Sequence, residues 1–466
     1  MNYISTRGRA PALGFADTML TGLARDGGLY VPETVPTLTA AEIAALAGAP
    51  YEHAAHRIIR PFLGDAFSEA DLTDALQKAY AGFTHPARAP LKQLAPGHFL
   101  AELFHGPTLA FKDFAMQLIG QLFQTALARS GRRITIVGAT SGDTGSAAIE
   151  AFRGLPNVDV FILFPEGRVS DVQRRQMTTP AEPNVHALAL KGDFDACQSR
   201  VKDMFNDHAF RDEVALTAVN SINWARVLAQ TVYFFTSAVA LGAPHRPVSF
   251  TVPTGNFGDI YAGSIARRMG LPIARLVIAT NLNDILHRTL ATAEHRLEPV
   301  RPSISPSMDI QISSNFERAL FDAMARDGTA VATLMDELKT HHGFTLPQGT
   351  LHALRETYTS GRASEAETSA TIARTLAQTG ELLCPHTAVG VHTAESHLGP
   401  TPMITSPMIT LATAHPAKFP DAVEAATGLR PALPPHMADL FDRPERVTPV
   451  PDDLAALQSL IRSRIA

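Results

Sequence analysis

ITIVGATSGDTGSAA, Ile134 to Ala148, passes from a β-branched apolar run through a turn of small residues into an Ala-rich helical start. The run is apolar without alternation, which suits a strand buried on both faces of a helix-flanked sheet. The same signature returns at DVFILF from Asp159, VHALAL from Val185, VSFTVP from Val248, ARLVIAT from Ala274 and ITLATA from Ile409. Helix-length segments separate these runs, and that alternation predicts an α/β fold. Among the covering helices we expect LNDILHRTLATAEHRL from Leu282 and the stretch Ser364 to Thr379. Upstream, the first ~80 residues read differently. TAAEIAALAG from Thr39 and EADLTDALQKAYAGF from Glu69 are helical, with breaks at Pro32, Pro36 and Pro50. They predict a small, mainly helical unit. Downstream, the Pro-rich stretch from Arg430 to Asp453 reads as a connecting arm before a last short helix from Leu454.

Bulk properties narrow the class. A chain of 466 residues with 45% hydrophobic content exceeds what a single core requires, so two or three domains are expected. The net charge of -5 comes from interspersed signs, which leaves no footprint for nucleic acid or an anionic membrane. Cys197 and Cys384 lie far apart without CxxC or metal-ligand spacing, which fits a reducing compartment and excludes a disulfide framework. Met1 to Phe15 has no apolar core of signal-peptide length, and the apolar stretch Thr231 to Ala243 is too short to span a bilayer. A cytoplasmic protein without a metal site is expected.

Small-residue turns after strands are where open α/β sheets bind ligands. Gly138 to Ala148 can bring backbone N–H groups and hydroxyls to an anion at a helix start. It lacks the ending of a P-loop and the GxGxxG spacing, so nucleotide binding fits poorly; a bare strand-to-helix turn is the competing reading. PTGNFGDIYAG, Pro253 to Gly263, repeats the arrangement, with Gly255 and Gly258 permitting positive φ and Asn256 able to reach a ligand. Two such cradles suggest two negatively charged groups. HGPTLAFKDFAMQ, His105 to Gln117, places Lys112 between Phe111 and Phe114. Desolvation there would lower the amine pKa and make it a nucleophile for an aldehyde, although a lysine opening a helix is ordinarily a surface residue. The chain has only seven lysines, and of the others Lys92 and Lys418 alone lie near Gly/Pro-rich loops, in less apolar settings. In NSINWARVLAQ, Ser221 and Arg226 bracket a helix start and could hold a phosphate through the guanidinium fork; capping by Asn220 or Ser221 is the structural alternative. Thr413, ending a strand in LATAHPAKFPDA, could offer a neutral hydroxyl to a ring nitrogen, or simply pack.

Taken in order, HGPTLAFKDFAMQ, ATSGDTGSAA, NSINWAR, PTGNFGD, ATNLNDIL from Ala279, SSNFER from Ser313 and CPHTAVG from Cys384 resemble segments of the threonine synthase family. YISTRG from Tyr3 and DGGLYVPE from Asp26 fit as well, so the likeness runs along nearly the whole chain and points to the bacterial and fungal branch. It implies a fold-type II pyridoxal 5'-phosphate enzyme: two doubly wound α/β lobes with the cofactor between them, preceded by a mainly helical N-terminal domain. The expected division is residues 1–82, 83–245 and 246–466. By position, Lys112 matches the lysine of the internal aldimine, flanked by Phe111. Gly255, Asn256, Phe257 and Gly258 match the cofactor-phosphate loop. Ser141, Gly142, Asp143 and Thr144 match the loop that takes the substrate carboxylate. Ser221 and Arg226, with Asn256 as a possible helper, match groups for the substrate phosphate, and Thr413 matches the residue facing the pyridine nitrogen. Cys384 departs from the family pattern, in which many members carry Asp before PHTAVG; His386 and Thr387 are retained.

The resemblance further implies conversion of O-phospho-L-homoserine and water to L-threonine and phosphate by γ-elimination and β-addition, the last step of threonine biosynthesis. Lys112 would serve as general base once displaced from the cofactor, in a monomer or homodimer. Two other functions share most of these residues. A serine or threonine dehydratase would need Lys112 and the cradles but not the Ser221/Arg226 pair. A synthase-like binding protein would keep the fold without turnover.

Overall fold

The computed structural model describes residues 1–398 and 404–465. Two sheets carry the architecture. The larger has six strands in the order Tyr358–Arg362, Ile273–Thr280, Val248–Pro253, Met408–Ala412, His98–Glu102 and Leu91–Ala95. The first five run parallel, and Leu91–Ala95 pairs antiparallel with His98–Glu102. The second sheet orders Thr448–Val450, Val185–Leu190, Val158–Pro165, Ile134–Ala139 and Leu216–Thr217, all parallel. This is the α/β fold that the apolar runs imply, with the two parallel-sheet lobes that the family resemblance implies. Val158–Pro165, Val248–Pro253 and Met408–Ala412 are buried at every position, as strands covered on both faces must be.

Two of the strands without an apolar signature lie at edges. Leu91–Ala95 (LKQLA) is half-buried to exposed. Thr448–Val450 carries Pro449 in its middle, which an edge tolerates because one side needs no N–H. It arises from the stretch expected to be a plain connecting arm, so that arm also completes the second sheet. Another expectation is corrected: the helix from Leu282 is confined to Ile285–Thr292. Before it, the Asn281 amide donates to Ser303 and Asp309 Oδ1, and the Asn283 amide to Arg301 O and Asp309 Oδ1, holding that segment in a loop. After it, Ala293 turns left-handed with φ 69, and Glu294–Arg296 pairs with Gly343–Thr345 while His295 stacks on Phe344 at 4.6 Å.

The N-terminal residues form helices Tyr51–Leu63 and Glu69–Tyr80 and a two-stranded ribbon, Tyr3–Ser5 with Tyr30–Pro32. The second helix begins in a capping box, Ser68 with Asp71. Their aromatic side chains enclose Phe114 of the long helix Lys112–Ser130: the Phe83 ring lies 4.7 Å away and the Tyr51 ring 5.3 Å. Tyr80 Oη donates to Phe114 O at 3.1 Å. Among the described residues, no helix is long and apolar enough to cross a membrane.

Candidate active site

Loops at the carboxyl ends of strands from both sheets converge on one cleft. Lys112 opens its helix after the strand His98–Glu102, and the approach is pinned to the neighbouring strand's exit: Phe111 N donates to Thr413 O at 2.9 Å and His415 N to Leu109 O at 3.0 Å. Asp113 folds back to accept Thr108 N at 2.8 Å and Thr108 Oγ1 at 2.6 Å. The Lys112 side chain is 10% exposed, and its Nζ lies 5.2 Å from the Phe111 ring centroid. Burial lowers its pKa, opposed by Asp143 and reinforced by Lys418 and Arg226.

Across the cleft, the loop after Ile134–Ala139 turns at Gly142, whose φ of +137 lies in a region that disfavours any side chain, and where a Cβ would strike Gln173. Thr140 Oγ1 accepts both Gly142 N and Gly145 N at 2.9 Å, which rigidifies the turn. Thr144 lines the cleft, and Asp143 opens the helix Asp143–Phe152. Its carboxylate faces Lys112 Nζ at 3.4 Å, Lys418 Nζ at 3.0 Å and Gln173 Nε2 at 2.8 Å. Burial alone would raise Asp143, but Lys418 and Lys112 hold it far below the carboxylate range.

The loop Gly255 to Gly258 follows Val248–Pro253 and opens the helix Gly258–Arg268. A Cβ at Gly255 would meet Ser307 O at 2.7 Å. Phe257 takes φ 63, which costs an L-residue about 1–3 kcal/mol; its buried ring packs on Phe316 and Tyr358 at 5.3 Å each. Asn315 clamps the loop from below, its amide donating to Asn256 O at 2.9 Å and Ser221 O at 3.0 Å. N–H groups at such a helix start lack intrahelical partners and suit an anion. Asp259 accepts from Tyr233 Oη through Oδ1 while Oδ2 is unpartnered, and burial pushes the carboxyl up to about 7.

Arg226, on the helix Trp224–Ala240, is 3% exposed; Nη1 donates to Val219 O at 3.3 Å, and Nε has no partner. Burial brings it down to about 10, so it stays cationic at neutral pH. Thr413 donates its N–H to Thr387 Oγ1 at 3.2 Å and lines the cleft. His386 accepts Ser307 N at its Nε2 at 3.1 Å, leaving Nδ1 as the nitrogen that carries the proton, buried and unpartnered. Burial holds this imidazole down to about 4, hence neutral. Cys384 accepts Thr387 N through Sγ at 3.4 Å, the bond an Asp would make there as a helix cap.

The structure therefore brings Phe111, Lys112, Asp143, Thr144, Ser221, Arg226, Gly255, Asn256, Phe257, Gly258 and Thr413 to one cleft. Ser141 and Gly142 belong to the same turn but do not line the cleft. Asp259, His386 and Lys418 are additional groups. Asp259 directly follows the glycine loop in PTGNFGD and His386 lies in CPHTAVG, so motifs of the sequence carry both. Lys418 is fully buried despite its proline-rich surroundings, whereas Lys92 pairs with Glu381 at the surface. A roomier cavity of about 460 Å³ lies behind Thr108, among Glu150, Gln176, Glu182 and Arg443, but offers neither a lysine nor a glycine loop.

Comparison with known proteins gives a concordant result. Family profiles described as threonine synthase N terminus, pyridoxal-phosphate dependent enzyme, and threonine synthase, C-terminal match residues 2–80, 89–405 and 387–461. The chain is 53% identical over 462 residues to threonine synthase of Pseudomonas aeruginosa, covering 99% of this chain and 98% of that protein. Among solved structures, the pyridoxal-phosphate-bound threonine synthase of Brucella melitensis superposes with a TM-score of 0.96 at 54% identity, covering 100% of this chain and 99% of that one. Yeast threonine synthase superposes with a TM-score of 0.93 at 39% identity, covering 99% and 98%.

Proposed function

The chain belongs to the threonine synthase family of pyridoxal-phosphate enzymes, and on that premise we propose that it converts O-phospho-L-homoserine and water to L-threonine and phosphate. The observation that supports this substrate most strongly is the placement of a buried lysine, a guanidinium with a free Nε and a glycine loop at a helix start on one cleft. A dehydratase substrate would give Arg226 no phosphate to hold. The residues also fit pyridoxal phosphate: Lys112 is desolvated, and three buried polar atoms around the cleft, Arg226 Nε, Asp259 Oδ2 and His386 Nδ1, lack partners within the protein.

Bound there, pyridoxal phosphate supplies the electron sink that acidifies the substrate's Cα and Cβ protons. Lys112 would hold it through Nζ, Gly255 to Gly258 would receive its phosphate at the helix start, and Thr413 would offer the ring nitrogen a neutral hydroxyl. The Lys112 amine would move one proton at a time: it takes the Cα proton and, after discharging it, the Cβ proton as the γ-phosphate leaves, then gives one proton to Cγ, which becomes the methyl group, and, after water has added at Cβ, one to Cα. Burial lowers its pKa, which favours the neutral amine that this role needs. Arg226, with Ser221, receives the γ-phosphate and stabilises its growing charge as the bond to Cγ breaks. Asn256 sits between the two phosphate roles. For the substrate carboxylate, Gly142 N and Gly145 N are committed to Thr140, so the Asp143 and Thr144 N–H groups at the helix start and the Thr144 hydroxyl remain.

Both cysteines are buried free thiols, which supports a cytoplasmic setting; a monomer or homodimer is the assembly we propose. The deciding experiment is a phosphate-release assay on phosphohomoserine with threonine detected in parallel and free homoserine as control. Stoichiometric phosphate and threonine are expected. Release of 2-oxobutyrate from threonine, with no phosphate from phosphohomoserine, would instead make the chain a dehydratase.

A further inference from the structure

Lys418 ends the short turn Pro416–Lys418, beyond the strand Met408–Ala412, and is 0% exposed. Its Nζ donates to Thr108 O at 2.7 Å and stands 3.0 Å from Asp143 Oδ1, while Asp143 Oδ2 faces Lys112 Nζ at 3.4 Å. One carboxylate thus bridges two lysines, the first opening into the cleft and the second sealed behind it. We propose that Lys418 is a positioning residue for the reaction at Lys112: it neutralises and fixes Asp143, so that this carboxylate aims the Lys112 amine without locking it as an ammonium. The proposal rests on the reading of Lys112 as the cofactor lysine.

Two observations separate this role from simple structural support. Thr108 O already accepts Gln176 Nε2 at 3.1 Å, so closing that carbonyl does not require a buried cation. Burying an ammonium costs several kcal/mol after relaxation, and a neutral side chain would avoid that cost. The charge balance around Lys112 supplies a reason to bear it. A lone carboxylate at this distance favours the charged amine; with Lys418 on its other oxygen, the pair is neutral overall and burial is left to lower Lys112. The remaining neighbours do not undo this. Arg226 from its helix pushes in the same direction, His386 is neutral, and Asp259 is raised to about 7 by burial. Asp113 turns away to Thr108.

The test uses the full-length chain freed of cofactor, following the rise of visible absorption as added pyridoxal phosphate is captured at a series of pH values. Capture requires the neutral amine, so its half-maximal pH reports the Lys112 pKa. Lys418→Met should move that pH upward by ~1–3 units and lower kcat of the reconstituted enzyme more than it changes KM. Lys418→Arg retains the cation and should stay near the parent value. An unmoved capture profile in Lys418→Met, even with reduced thermal stability, overturns the proposal, as does an upward shift in Lys418→Arg as large as that in Lys418→Met. Lys112→Ala separates the two readings. If it still forms the visible band, the assignment of Lys112 fails; if it does not and Lys418→Met is unshifted, the Lys418 proposal alone fails.

Discussion

At the scale of single residues, the cleft gathers groups that burial has moved from their ordinary protonation behaviour. Arg226 stays charged, with its buried Nε donor unspent. Arg226→Ala should therefore retain cofactor absorption while kcat/KM for phosphohomoserine falls by about 10²–10³, and Arg226→Lys should recover little, since an ammonium does not reproduce the fork. Asp259 gives a pH signature. Its folded pKa is raised above 3.8 to about 7 by burial, so folding takes up a proton there. The stability tied to this group is complete below the ordinary aspartate range and is lost as pH rises through about 7. Thermal melts of the cofactor-free chain should show that decline, and Asp259→Asn should flatten it; an equal slope in both proteins would refute the assignment. Motif reading singled out Lys112, Arg226 and the glycine loop, which share one cleft, because each residue type announces its chemistry. It could not locate Lys418, because whether a lysine after a proline is exposed depends on which distant segments close over it.

At the scale of elements, legibility followed burial. Strands covered on both faces are written as apolar runs, whereas Leu91–Ala95 and Thr448–Val450 have exposed positions and no such record. The expected helix from Leu282 failed where side-chain amides of Asn281 and Asn283 found tertiary partners more than fifteen positions away, which no local pattern encodes. The helix carrying Lys112 is held by the aromatic enclosure of Phe114, which is fully buried. Phe114→Ala should cost about 3–5 kcal/mol by denaturant unfolding, with Phe114→Leu costing less. On the helix Pro385–Leu398, Cys384→Ser offers a better cap acceptor and should match or exceed the parent melting temperature, whereas Cys384→Ala should lose about 1 kcal/mol.

At the scale of the whole molecule, the N-terminal unit, which we propose as residues 1–82, reaches the cleft through a chain of bonds. Thr6 Oγ1 donates to Glu317 Oε1 at 2.6 Å, and Arg7 Nη2 pairs with Glu317 Oε2 at 3.0 Å. Next in the chain, Arg318 donates from Nη2 to Tyr30 O at 2.8 Å and to Ile222 O at 2.7 Å, and from Nη1 to Asn315, the residue that clamps the glycine loop. Removing Arg318 leaves buried carbonyls unpaired at about 1–3 kcal/mol each. Arg318→Met should lower both stability and cofactor affinity, measured by melts and by equilibrium titration. Loss of stability with affinity intact would show that the clamp does not depend on this link.

The larger sheet also constrains how the protein comes into being. His98 bonds Thr410, 312 positions later, within adjacent strands. A ribosome adding ~5–20 residues per second needs some tens of seconds to supply that partner. Throughout this interval His98–Glu102 stands as an open edge, and the segment bearing Lys112 has no strand exit to be pinned against. The nascent chain is thus exposed to chaperones and proteases without its cofactor until nearly all of it has been made.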